Sequence, residues 1–245
     1  MTTHYRTQGL VFKKEDRLDS DRVFSVFTKD FGRVEVVGKA IRKISSKLKG
    51  GIEIFSLSDI EFIQGKNKKT LTDATAREKF RAMYQSPVKM QVAYAISETL
   101  DRFIKGQQED ESVFTFIEDV FKKLERCSSP AMLYYYFFWN FMSVLGYGVE
   151  VVKCVSCQEN LNPDQLYFSY KEGGILCKTC SPNDRQSKKI SPDVVKILRL
   201  ILKKDWKTLS KVKVEKSIQT SLRQTTKDYY RFSGSTILAA SHSSL

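Results

Sequence analysis

Histidine is almost absent from this chain. Two occur in 245 residues, at His4 and His242 near the two ends. No imidazole therefore neighbours any of the five cysteines, which leans against a Cys–His nucleophile and against a catalytic zinc with imidazole ligands and an open water position. No Lys-x-Asp-Gly stretch is present for nucleotidyl transfer, and no Walker-type phosphate loop. No run of carboxylates suggests metal-dependent nuclease chemistry. No apolar run reaches the roughly 18 residues that a membrane span requires. No secretory leader is apparent, so the expected setting is the reducing cytoplasm rather than a disulfide-forming compartment. Taken together these gaps favour a protein that binds rather than catalyses, with no membrane partner.

What the chain does hold is a pair of Cys-x-x-Cys motifs, Cys154-Val155-Ser156-Cys157 and Cys177-Lys178-Thr179-Cys180, separated by 19 residues. That spacing is the one expected of a four-thiolate zinc site. Each pair can place two sulfurs on one side of a tight turn, and two facing turns make the tetrahedron that zinc prefers. Asn162-Pro163-Asp164 and Glu172-Gly173-Gly174 read as turns around an extended run, Leu166 to Tyr170. The expectation is a zinc ribbon or knuckle with one structural Zn2+ on Cys154, Cys157, Cys177 and Cys180. Two disulfides are the alternative, which the expected compartment disfavours. Cys127, before Ser128-Ser129-Pro130, is expected to be a bystander.

Acids are short relative to bases, 28 against 41, for a net charge of +13. The excess sits at the ends: residues 1–75 carry 15 basic and 10 acidic side chains, and residues 185–245 carry 14 and 4. A polyanionic partner follows, because neutralising phosphates releases condensed counterions.

Residues 1–75 read as five short strands rich in Val, Ile, Phe and Thr: Tyr5–Phe12, Arg22–Thr28, Arg33–Ala40, Gly51–Ile63 and Lys68–Asp73. The fourth changes phase near Phe55 and Leu57, which suggests a bulge inside the strand. Five strands with short connections suit a small closed barrel of the OB type, though periodicity does not separate it from an SH3-like barrel. From Ala76 the pattern becomes helical. Ser86-Pro87 starts a helix with Val92, Ile96, Leu100 and Phe103 on one face, and Val113, Ile117, Val120 and Leu124 mark a second. A third, Ala131–Leu145, is apolar all round and carries Tyr134-Tyr135-Tyr136-Phe137-Phe138-Trp139. Consecutive helical positions point in different directions, so this run reads as core rather than as a base-stacking platform. Ser191-Pro192-Asp193 opens another helix, and Val214 to Tyr229 suggests a last one. The expected organisation is α+β: a five-stranded OB-type barrel at 1–75, then a helical domain at 76–232 with the cysteine module inserted at about 150–185, and a flexible tail at 233–245.

Lys39, Arg42, Lys43, Lys47 and Lys49 fall within eleven residues that contain no acid. Between the third and fourth strands of a barrel they can track a phosphate backbone. Arg22 and Arg33 on neighbouring strands are secondary candidates. Lys188, Lys189, Lys196, Arg199, Lys203, Lys204 and Lys207 form a possible second patch. Nothing here is suited to reading bases, so sequence-tolerant binding is expected.

The ordered set of motifs resembles the RecO family of bacterial recombination mediators. It runs from Gly9-Leu10-Val11 and Asp19-Ser20-Asp21-Arg22 through Phe31-Gly32-Arg33, Gly38-Lys39-Ala40-Ile41-Arg42-Lys43 and Phe55-Ser56-Leu57. Leu145-Gly146-Tyr147, Tyr167-Phe168-Ser169, Gly173-Gly174-Ile175-Leu176 and Ile190-Ser191-Pro192 then frame the two cysteine pairs. The resemblance implies an OB barrel, a helical domain and a zinc module, and a DNA-binding mediator that is not an enzyme. It implies binding of single- and double-stranded DNA, annealing of complementary strands, and action with RecR and single-stranded DNA-binding protein in loading the RecA recombinase. It places Lys39, Arg42 and Lys43 on the barrel segment used for DNA, and the four cysteines on the zinc. An RNA-binding accessory protein of transcription or translation is the alternative.

Overall fold

Strand β1 (His4–Arg17) is the longest in the protein and serves two neighbours. Its first half pairs with β4 (Leu57–Gln64), its second with β2 (Asp21–Thr28), both antiparallel, and the register slips between Val11 and Lys13. That slip lets one strand turn the corner from one neighbour to the other. β3 (Gly32–Gly38) follows β2, and β5 (Lys69–Glu78) lies antiparallel to β4 and parallel to β3 at Val36–Lys69 and Val37–Thr70. The closed order is β1-β2-β3-β5-β4, so the first five strands form the OB-type barrel. The computed structural model describes residues 3–104, 106 and 110–242, the side chains of 236–242 excepted.

Alternate residues fill the barrel: Val11, Phe24, Val26, Val34, Val36, Ile60, Phe62, Leu71 and Ala74, plugged by Ile41 and Ile52 from the β3–β4 connection. The fourth strand is shorter than its sequence suggests. It begins at Leu57, and residues 51–56 are an irregular approach in which Phe55 takes a left-handed conformation, φ 57°. The phase change falls where this approach becomes strand, and the β4–β5 register shifts there, between Leu57 and Ser58, and again between Glu61 and Phe62, as a bulged strand requires. Gly51 belongs to this approach because a Cβ there would stand 1.7 Å from the Ala74 carbonyl oxygen.

Three helices complete the first of two compact units, Met1–Pro130. α1 (Arg81–Tyr84) is a single turn. α2 (Pro87–Phe103) is capped by Ser86 and α3 (Glu111–Arg126) by Asp110. The apolar positions spaced at three and four residues in both helices are buried. Part of their cover is the barrel itself. Ser97 donates to the Phe12 carbonyl oxygen, and Phe55 packs with Phe121 at 5.8 Å. By compactness α2 and α3 therefore group with the barrel, and the division into units falls at Pro130.

The second unit, Ala131–Leu245, is organised on α4 (Pro130–Val144). Tyr136, Phe137, Phe138 and Trp139 are all buried, as the core reading of the aromatic run requires. Trp139 stacks on Tyr229 at 5.0 Å and donates to Thr226 at 3.1 Å. A small sheet in the order β7-β6-β8 (Gly174–Leu176, Tyr167–Ser169, Lys188–Lys189) presents Phe168 to Trp139 at 5.9 Å. α5 (Pro192–Leu202), α6 (Trp206–Leu209) and α7 (Lys216–His242) follow. α7 covers residues 233–242 of the segment expected to be a flexible tail; 243–245 lie outside the described residues. Ser233 and Gly234 are buried, and small side chains there let the helix stay in contact with its neighbours. Among the described residues no helix is long and apolar enough to cross a membrane.

Candidate nucleic-acid interface and metal centre

The β1–β2 hairpin runs on past the barrel wall, pairing Lys14 with Phe24 and Asp16 with Arg22. The β3–β4 connection is tied to it: the Ala40 N–H donates to Asp21 Oδ1 at 2.7 Å and the Arg42 N–H to the Ser20 carbonyl at 3.0 Å. These bonds enclose a groove of about 340 Å³ lined by the cations Lys14, Arg22, Arg42 and Lys49. Phe24, Ile41, Ile52 and Ile54 give it an apolar floor, with Glu53 and Tyr84 also lining it. Asp16 accepts from Arg22 Nε at 2.6 Å and faces Arg42 Nε at 3.6 Å, so one carboxylate holds both guanidinium groups. The Arg22 hydrogen bond keeps its carboxyl below the usual range. Tyr84 donates its hydroxyl to the Ile54 carbonyl, and burial pushes its pKa up to about 12.

Of the expected cations, Arg22, Arg42 and Lys49 line this groove, while Lys39, Lys43 and Lys47 are exposed on the same connection. Lys14 and Tyr84 were not anticipated. Strand alternation misplaces Lys14 because the bulge at Val11 and Lys13 lies before it, and Tyr84 arrives from a separate helix.

Arg33 does not line the groove. Its side chain is only 13% exposed and is consumed by α2: Nη1 donates to the carbonyls of Asp101 (3.2 Å) and Ile104 (3.0 Å), and Nη2 to Asp101 Oδ1 (2.7 Å). Its guanidinium carbon lies 5.4 Å from the Phe12 ring centroid. Burial alone would raise the Asp101 carboxyl, but hydrogen bonds from Lys13 and Arg33 outweigh it and the group sits low. Arg33 therefore fastens helix to barrel. Arg33→Ala is expected to cost about 2–3 kcal/mol in denaturant unfolding, the scale for charged hydrogen bonds broken in a partly buried site. Oligonucleotide affinity of the folded fraction should stay within about twofold, as suits a residue facing no ligand.

The second basic patch divides in a similar way. Arg199 Nε donates to the Val151 carbonyl at 2.7 Å, Lys188 pairs with Asp228 at 2.9 Å over the Tyr170 ring, and Lys196 pairs with Asp193 at 3.0 Å. Arg199 is thereby tied to the backbone of its own unit. Lys189, Lys203, Lys204 and Lys207 are exposed. A further stripe escaped the sequence reading. Lys216, Arg223, Lys227 and Arg231 are exposed along one face of α7, opposite the buried Leu222, Thr226 and Tyr229.

The four cysteines of the paired motifs converge. Their sulfurs all lie within 4.8 Å of one another, with Cys157 and Cys177 at 3.9 Å. A tetrahedron with metal–sulfur bonds of about 2.3 Å has sulfur–sulfur edges of about 3.8 Å, so the set fits a metal ion. None of the five cysteines is in a disulfide. Burial raises the Cys154 thiol, but the backbone N–H groups of Cys157, Cys177 and Ser156 outweigh it and bring it down to about 6. The Glu159 N–H favours the Cys157 thiolate, yet its sulfur neighbours push that group up to about 12. Four sulfurs this close cannot all ionise alone, and a divalent cation at their centre removes the conflict. The Gly-Gly approach has a steric cause. Gly173 is left-handed at φ 64°, and a Cβ on Gly174 would stand 2.7 Å from the Glu150 oxygen and 3.0 Å from Val155. Cys127 is half-buried, with its thiol pushed up by burial, outside the cluster.

With this geometry in place, the chain was compared with known families. The model described as "Recombination protein O N terminal" matches residues 1–80, and "Recombination protein O C terminal" matches residues 84–235. The chain belongs to the RecO family. Curated relatives that it matches include proteins named DNA repair protein RecO. One from Dehalococcoides mccartyi is 26% identical over 228 residues, covering 93% of this chain and 90% of that relative. One from Acetivibrio thermocellus is 24% identical over 229 residues, covering 93% and 91%. The two matched regions meet between residues 80 and 84, within a few residues of the barrel's last strand. This RecO-family chain thus carries both the barrel with its cationic groove and the four-cysteine cluster.

Proposed function

We propose that this protein is a DNA-binding recombination mediator of DNA repair, holding single strands at the barrel groove and assisting their annealing. The observation that carries the reading is the convergence of Lys14, Arg22, Arg42 and Lys49, from three separate segments, on one groove of an OB barrel. A surface of this kind lowers repulsion between two phosphate chains without fixing the bases, so complementary strands can test pairing. The apolar floor suits sugar and base edges. The reading assigns no bond-making step to any residue; the protein acts by binding alone, in the cytoplasm with the nucleoid.

In this reading the metal is zinc, and its role is structural. A divalent ion on four thiolates has no open position, so what it supplies is the fixed geometry of the module around Phe168. RecR and single-stranded DNA-binding protein are the partners, and RecA loading the outcome. Family membership supports these, and they are not tied to particular residues. The exposed stripe on α7, and separately the exposed Lys203, Lys204 and Lys207, offer further positive charge for a second strand or a duplex.

The test is annealing of complementary DNA coated with single-stranded DNA-binding protein, with and without this chain and RecR. Acceleration of at least about tenfold over the coated strands alone is expected, since the chain supplies the cations that offset strand repulsion. Equal or better performance on RNA of the same sequence, with no effect on coated DNA, would favour an RNA accessory role instead.

A further inference from the structure

Two aliphatic side chains stand almost fully in solvent at the end of the barrel. Ile44 is 99% exposed and Leu18 is 81% exposed; the next most exposed large apolar side chain described, Val152, reaches 62%. Neither position is comfortable. Leu18 sits at the tip of the β1–β2 hairpin in a left-handed conformation, φ 53°, which disfavours any residue with a Cβ. Ile44 stands in a turn closed by the Ser46 N–H donating to Lys43 at 3.1 Å, where a β-branched residue has no propensity advantage. The two loops are fastened together through Arg42 to Ser20 and Ala40 to Asp21. Around them in sequence lie Arg17, Arg22, Lys39, Arg42, Lys43 and Lys47.

We propose that Leu18 and Ile44 engage nucleobases. They would insert against the faces of unstacked bases while the cations of the same two loops hold the phosphates. This rests on the proposed nucleic-acid role of the barrel and names the contacts within it. A ligand fitting apolar tips set among cations must offer apolar faces and anions in alternation, and an unstacked strand does so at every nucleotide. Apolar wedges are used in this way to part base steps, the added contact offsetting the stacking that is lost. A flush cationic loop would hold phosphates equally well and would not need an isoleucine at its tip.

The test uses the full chain and the double variant Leu18→Ser/Ile44→Ser, with a single-stranded oligonucleotide carrying 2-aminopurine and a matched strand with abasic sites. The native protein should brighten 2-aminopurine on binding as stacking is lost. The variant should keep its melting temperature and its salt slope, lose most of the brightening, and bind about tenfold more weakly. The two proteins should bind the abasic strand alike. An unchanged affinity and signal in the variant overturns the wedge. So does a variant that loses only its binding to anionic phospholipid vesicles, which would assign the tips to a membrane surface. A native protein that ignores both strands removes the nucleic-acid reading itself, and the wedge with it.

Discussion

Charge reversal at Lys14, Arg42 and Lys49 together should weaken single-stranded DNA binding by about 100-fold at low salt, because it turns three phosphate contacts into repulsions. Each contact to a single strand contributes about −0.7 to the slope of log affinity against log salt, so the slope should flatten by about 2. Reversing Lys203, Lys204 and Lys207 changes the net charge equally but leaves the groove intact. If binding depends on the groove, that control should fall far less and keep more of its slope. Equal losses in the two triple variants would mean that net charge or the second cationic surface contributes as much as the groove, which would then lose its special role. Titration by fluorescence anisotropy at several salt concentrations reads both quantities. Lys14 and Lys49 pair with no groove carboxylate, and Arg42 faces Asp16 only at 3.6 Å, so the fold should tolerate the changes.

If the four cysteines hold the proposed structural zinc, removing it should have the largest effect on stability. Structural zinc is worth roughly 10–16 kcal/mol in isolated fingers. Here its loss would release the segment that carries Phe168, Ile175 and Leu176 into the core beside Trp139 and Tyr229. Cys177→Ser is expected to purify with far less than one zinc per chain. The near-ultraviolet dichroism of Trp139 should collapse, and the thermal midpoint should fall by more than 10 °C, since several kcal/mol are lost from a unit of about 115 residues. Chelation of the native protein should reproduce the change, and zinc should reverse it. A variant free of metal that keeps its dichroism and midpoint would show that the four sulfurs are not a structural centre. Trp206 packs on Tyr136 at 5.4 Å in the same unit, so Trp206→Phe is the background in which the Trp139 signal is cleanest.

Much of this protein is legible from local pattern because the forces that set it are local. Val92, Ile96, Leu100 and Phe103 lie on one face by the geometry of the helix alone, and all four are buried. The paired cysteines announce a metal cluster because each Cys-x-x-Cys is a self-contained turn, and the two Gly-Gly positions explain themselves once that turn is seen. The acid-free run from Lys39 to Lys49 needed no fold to be noticed.

The remaining features depended on which distant segments meet. Arg22 and Arg33 look alike in sequence. One lines a groove because its strand pairs with the free end of β1, and the other is spent on Asp101 because α2 crosses its face of the barrel. Lys14 entered the groove through a bulge that shifts the register by one residue, and a shift of one moves a side chain to the opposite face. The basic residues of α5 divided by whether a carbonyl or carboxylate lay in reach, as Val151 does for Arg199. By itself, then, the sequence determined the barrel, the helices, the thiolate cluster and the excess of positive charge, all of which follow from spacing and composition. The tertiary structure alone decided which cations act together, because an ion's role is set by neighbours brought to it through long-range pairing, and no periodicity along the chain encodes those.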